Sequence, residues 1–190
     1  MLRLPEPDAI LLRETVWRLA RQAPIDNTFA DLTALYADLA DRVARRRPVC
    51  NQSGACCRFD AYGHLLFVTT LELALFVHSL GEAAQPTDAP APDWSGCPFQ
   101  LQGLCSVHPI RPMGCRIFFC DPTSQAWQQD LYESLHHQIR TLHDQAKIPY
   151  FFVEWRAALR AVGLATPPAS QPPQPHVTST RIALTVRGQG

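Results

Sequence analysis

Seven cysteines stand at positions 50, 56, 57, 97, 105, 115 and 120, and none lies outside that stretch. Thiols at such density serve either as soft metal ligands or as disulfide staples. They form two groups. The first is Cys50-Asn-Gln-Ser-Gly-Ala-Cys56-Cys57. The second is Cys97, Cys105, Cys115 and Cys120, interleaved with Pro98, Pro109, Pro112, Gly103 and Gly114. An odd count leaves one thiol without a partner in any intramolecular disulfide scheme. The first residues, Met-Leu-Arg-Leu-Pro-Glu-Pro-Asp, carry no apolar leader, so the expected compartment is the reducing cytoplasm. Both points favour metal, with Cys50, Cys56, Cys57, Cys97, Cys105, Cys115 and Cys120 as the candidate ligands.

The spacings match neither a common zinc finger nor a bacterial or plant ferredoxin run. Cys56 and Cys57 are adjacent, and in an extended chain their side chains point to opposite faces. They serve two sites, or one binds while the other packs. Gly54 suits a sharp turn that returns Cys50 towards the pair. The prolines between the later cysteines restrict the backbone and lower the entropy cost of organising a site. Zinc, iron and an iron–sulfur cluster all use thiolates, so ligand type does not separate them.

Other side chains could complete such a centre. His108 follows Cys105 by three residues and is the best nitrogen ligand by local spacing. His64 lies near the first group, and His136 and His143 share one face of an expected helix. Arg58, Arg111 and Arg116 flank cysteines and could donate to thiolates or sulfides. The aromatic run Ile148-Pro-Tyr-Phe-Phe-Val-Glu-Trp155 reads as core packing. The chain has no dinucleotide fingerprint, phosphate loop, zinc-protease helix or nucleophile elbow. No catalytic residue is singled out, and an enzyme remains an alternative to a metal-binding module.

Taken with their neighbours, the cysteines resemble a known family, the YkgJ-like cysteine-cluster proteins, described as zinc- or iron-chelating. That family's signature is a CxxCxxCC block, then CPF with a downstream Cys, then RP, CR and a last Cys. Here the block reads Cys50-x2-Ser53-x2-Cys56-Cys57, followed by Cys97-Pro98-Phe99, Cys105, Arg111-Pro112, Cys115-Arg116 and Cys120. Ser53 stands where the second cysteine of the block belongs. The resemblance implies a bound metal or cluster and no particular reaction. It also makes Ser53 a candidate for a vacated ligand position, with His108 as substitute.

The elements that must position these residues are mostly helical. Apolar residues at three- and four-residue steps predict helices over 8–22 and 28–46, the second stopped by Pro48. Arg45, Arg46 and Arg47 would complement its C-terminal dipole. His64–Val68 reads as a short strand. Thr69-Thr-Leu-Glu72 has capping-box spacing, and the apolar run behind it ends at Gly81. Residues 82–96 read as a surface loop, and 97–122 as turns held by their cysteines, with Gln102-Gly103 a tight turn. Further helices are expected over 124–146 and 150–162. Residues 166–175 are half proline and read as disordered, and 180–187 alternate as a late strand would.

The expected fold is therefore mainly α: a small α-rich domain with irregular cysteine-rich loops around a metal or cluster site, and short strands. It divides into an N-terminal helical region (1–47), a cysteine-cluster domain (48–163) and a flexible tail (164–190). Zero net charge, from 17 basic and 17 acidic residues, argues against a partner bound by bulk electrostatics such as nucleic acid. Sixteen of the basic residues are Arg, a bias typical of GC-rich bacterial genes. With 46% hydrophobic residues and no long apolar run, no membrane partner is expected. The functional expectation is a cytoplasmic metal-binding protein holding zinc, iron or an iron–sulfur centre. The alternatives are an iron–sulfur redox or maturation enzyme with an open coordination position, and a disulfide-stapled scaffold.

Overall fold

Amphipathic periodicity builds most of the frame. The computed structural model describes residues 4–22, 27–51, 53–89 and 91–164. Helix α1 (Glu6–Gln22) buries Leu12, Val16, Trp17 and Leu19, with Glu6 and Asp8 in its first turn. It lies along the helix over Thr70–Leu80, and the Trp17 indole N–H donates to the Val162 carbonyl at 2.7 Å. Helix α2 (Thr28–Arg46) buries Phe29, Leu32, Tyr36 and Leu39. It closes with Arg47 in a left-handed conformation, φ 52°, whose N–H reaches back to Val43. Arg46 does more than complement a dipole, since its guanidinium donates to the Thr123 carbonyl at 3.0 Å.

A four-residue helix, α3 (Phe59–Tyr62), precedes β1 (Phe67–Thr69) and α4 (Thr70–Leu80). The expected capping box is present. The Thr69 hydroxyl accepts from the Glu72 N–H at 3.3 Å, and the Glu72 carboxylate accepts from the Thr69 N–H at 2.9 Å. That carboxylate, only 2% exposed, also accepts from the Met113 N–H at 3.0 Å and from the Tyr36 hydroxyl at 3.2 Å. Four elements therefore meet on one buried charge, which is tolerable only because so many donors satisfy it.

Two expectations are corrected here. The strand occupies 67–69 rather than 64–68, ending on the residue that caps α4. The stretch 150–162 is not one helix: Phe152–Glu154 forms β4, and α7 spans Trp155–Ala161. β4 pairs antiparallel with β1, Phe67 opposite Glu154 and Val68 opposite Val153. Bulky Phe152 and Val153 favour an extended backbone. Glu154 then caps α7 by accepting from the Ala157 N–H at 2.9 Å.

Residues 97–122 hold more regular structure than turns alone. β2 (Gln100–Leu101) and β3 (Leu104–Cys105) form a hairpin, and α5 (Met113–Ile117) follows. At its tip Gln102 and Gly103 both have positive φ, 50° and 83°, as a two-residue hairpin turn requires. Helix α6 (Gln125–Ala146) starts one residue beyond expectation. A single cluster of buried side chains takes in Leu12 and Leu32 as well as Phe76, Phe99, Ile117, Leu135 and Trp155. The mainly α class holds, with two short two-stranded sheets. The proposed late strand at 180–187 and the proline-rich stretch at 166–175 lie outside the described residues. Among the described residues no helix is long and apolar enough to cross a membrane.

Candidate metal centre

Local chain geometry delivers the two cysteine groups to one place. Gly54 has φ 68°, and a one-turn helix over Ala55–Cys57 buries Cys57 and leaves Cys56 exposed, both of them lining one cavity. A side chain at Gly54 would run into the Gly103 carbonyl and the Gln100 amide, so the first cysteine loop packs directly on the hairpin. The Gln100 side-chain amide ties them by donating to the Gly54 carbonyl at 2.9 Å. The Cys97 N–H donates to the Cys57 carbonyl at 2.7 Å, which locks the two groups together through the backbone. Gly96 makes this possible, because a Cβ there would sit 2.6 Å from the same carbonyl oxygen.

The result is a cavity of about 70 Å³ lined by Cys56, Cys57, Cys97, Cys105 and Cys115. Phe59, Leu66, Val107, Phe118 and Trp155 supply its apolar wall. Cys57 has Cys105, Cys56 and Cys97 as neighbours, and interaction with these thiols raises its pKa. The neighbours shift the other way. Cys56 falls to about 6, chiefly through the bond from Cys57, with Arg111 and His64 assisting. Cys105 falls to about 7, again through Cys57 first, then the Val107 N–H and Arg111. Cys97 is lowered by Cys57, by the Phe99 N–H and by Trp155. Cys115 is pushed up by burial.

Five of the seven predicted ligands thus share one cavity. Cys50 and Cys120 do not line it, and both are exposed. Their stretches of chain are nonetheless tied, since the Val49 N–H donates to the Asp121 carboxylate at 3.3 Å. Ser53 is also exposed and outside the cavity. Its hydroxyl accepts from the Ala55 N–H at 3.4 Å, a local turn bond. All seven cysteines are free thiols.

The histidines are redistributed. His108 is absent from the cavity wall, and burial beside Arg111 and Arg116 lowers its pKa. His64 does line the cavity, with Nε2 3.2 Å from the Cys56 carbonyl and its ring edge-on to Phe59. His136 lies 2.8 Å from the Tyr150 hydroxyl, away from the thiols. His143 is buried, accepts from the Leu71 N–H at 3.3 Å and serves the core. Of the arginines, Arg58 donates to the Ser53 carbonyl and the Tyr62 hydroxyl, both at 3.1 Å. Arg116 donates to Arg111 and Pro109 carbonyls and stacks on Tyr36. Arg111 alone of the three lines the cavity.

Trp155 is the residue that sequence reasoning missed, having been absorbed into core packing. It is 1% exposed and reaches the thiols from the start of α7. No local signal marks it, because it arrives through the β1–β4 pairing.

The donor set is soft and thiolate-rich, and buried donors face it. Among the described residues, however, no three Cys, His, Asp or Glu side chains already stand in metal-holding geometry. The chain matches no known protein-family model, no curated protein and no solved structure.

Proposed function

We propose that this protein binds a thiophilic metal centre through Cys56, Cys57, Cys97 and Cys105, with Cys115 as a fifth thiol alongside. The observation that carries the reading is the convergence of five cysteines, from two distant stretches of chain, on one cavity that Arg111 also lines. Polarisable sulfurs gathered in this way suit a soft cation. When bound, such a centre supplies either a static cross-link or one-electron chemistry. The protein's own part is to gather the thiols, lower the pKa of three of them and shield them with aromatic side chains.

The order of CPF, RP and CR around these cysteines supports placing the chain beside the YkgJ-like proteins. In that reading Cys50, Cys120 and Ser53 belong to an outer set that is not needed for the inner centre. Metal analysis of anaerobically purified protein, with thiol counting, tests it. The expected result is a stoichiometric thiophilic metal and four protected thiols at 56, 57, 97 and 105. Metal removal should open 97–122 to protease while α2 and α6 stay intact, because ligand bonds offset the entropy of ordering that segment. Metal-free protein with every thiol equally reactive would sink the proposal.

A further inference from the structure

Building on that thiolate centre, we propose that Arg111 and Trp155 are positioning donors for the sulfur atoms of an anionic, sulfide-bearing iron cluster. Two orphaned groups carry this. The Trp155 indole N–H is buried at 1% exposure and lines the thiol cavity; it makes no hydrogen bond of good geometry, though it is near enough to Cys97 to lower that thiol's pKa. The Arg111 Nε–H is likewise buried and unpartnered at the same cavity. A buried donor left without an acceptor forfeits its full hydration.

Arg111 also lacks a counter-ion. Among the described residues it forms no ion pair, and the cavity it lines is walled by five cysteines. The contrast with Arg156 is direct. That side chain is also buried, and it is matched by Glu154 at 3.0 Å, Asp60 at 2.8 Å and the Trp94 carbonyl at 2.9 Å. Arg160 has an unpartnered Nη1 as well, but it does not line the thiol cavity. Among the described residues, two orphaned donors coincide with free space only at the thiols.

The unmatched donors decide between occupants. A single ion held by four thiolates at about 2.3 Å would sit in the cavity those thiols line and add no acceptor of its own. Bridging sulfides supply both bulk and acceptors, and a guanidinium offsets part of the negative charge. Hydrogen bonds to cluster sulfur stabilise the more negative, reduced state and raise the potential.

The full-length protein purified anaerobically, or reconstituted with ferrous iron and sulfide, provides the test. Iron, zinc and acid-labile sulfide are quantified, and the midpoint potential is read by a redox titration followed by electron paramagnetic resonance. Arg111→Gln and Trp155→Phe are compared with the parent at equal iron content. The expected result is labile sulfide in the parent and a lower potential in each variant. A tenfold change in the oxidised-to-reduced ratio at fixed potential corresponds to about 59 mV for one electron. Should Trp155→Phe fail to fold by circular dichroism, the partly exposed Arg111→Gln carries the measurement. Zinc without labile sulfide overturns this inference and leaves the thiolate centre standing. Unchanged potentials in folded variants overturn it too. Absence of any metal in the parent instead removes the thiolate centre beneath it.

Discussion

Cys57 and Cys50 belong to one short block of sequence, yet they end in opposite surroundings. Cys57 is buried in the wall of the cavity that five cysteines line, whereas Cys50 is exposed beside the chain that carries Cys120. Neither spacing nor neighbouring residue type distinguishes them. What does is a backbone bond: the Cys97 N–H closes on the Cys57 carbonyl, and no such tie draws Cys50 inward. Membership of the centre is set by which peptide groups the hairpin loop captures, and the sulfurs follow.

The strongest way to break this contrast is to exchange the roles. Cys57→Ser should lower metal retention against a chelator by more than about tenfold, the scale on which site contacts govern affinity. The double variant Cys50→Ser, Cys120→Ser should keep its metal content. A Cys57→Ser protein that holds metal as the parent does would erase the distinction between inner and outer thiols.

A gentler perturbation acts on the backbone tie itself. Gly96→Ala places a Cβ 2.6 Å from the Cys57 carbonyl oxygen, so one of the two must move. The expected cost is about 1–3 kcal/mol, seen as a lower urea midpoint, with metal retention falling alongside. Gly63→Ala is the control for left-handed strain alone, since its Cβ would meet nothing within 4 Å. If Gly96→Ala retains metal as well as Gly63→Ala does, the tie is not what selects the inner set.

Reactivity sharpens the comparison without changing the sequence. Cys56 is exposed and its thiol is lowered to about 6, so the thiolate dominates above that pH. In metal-free protein its alkylation, followed by peptide mass spectrometry, should be near maximal at pH 7 and decline as the pH drops through about 6. Cys57, buried and raised, should be the slowest of the first block. The smallest effect is expected at Ser53, whose hydroxyl serves only a turn. Ser53→Cys should add a reactive surface thiol and leave metal content unchanged. A rise in metal content would return Ser53 to the ligand set.

What could be read in advance was whatever depends on neighbours along the chain. The face of α2, the Thr69–Glu72 capping box and the Gln102-Gly103 turn all rest on local chemistry, and all three are present. His64 outranking His108, the division of the cysteines and the arrival of Trp155 each depend on contacts between distant segments. The aromatic run at 148–155 illustrates the limit. Its residues suit a strand or a buried helix alike, and the choice falls to β1, which supplies a partner edge. The place of Arg111 beside the cysteines was legible, and it does line their cavity. Its missing counter-ion was not, because nearby charge in space is not nearby charge in sequence.

The antiparallel pairing of β1 with β4 has a consequence for how the protein is made. Thr70 and Phe151, bonded through the Thr70 hydroxyl at the edge of that pair, are separated by 81 residues. Every cavity cysteine from 97 to 115 lies inside the loop they close, and Trp155 lies just beyond it. A ribosome therefore releases all the cavity cysteines before the strand and tryptophan that finish their enclosure. On the proposed function, a metal has its natural window of loading in that interval, before the last strand docks, and a chain shortened ahead of residue 152 would lack both β4 and the Trp155 wall.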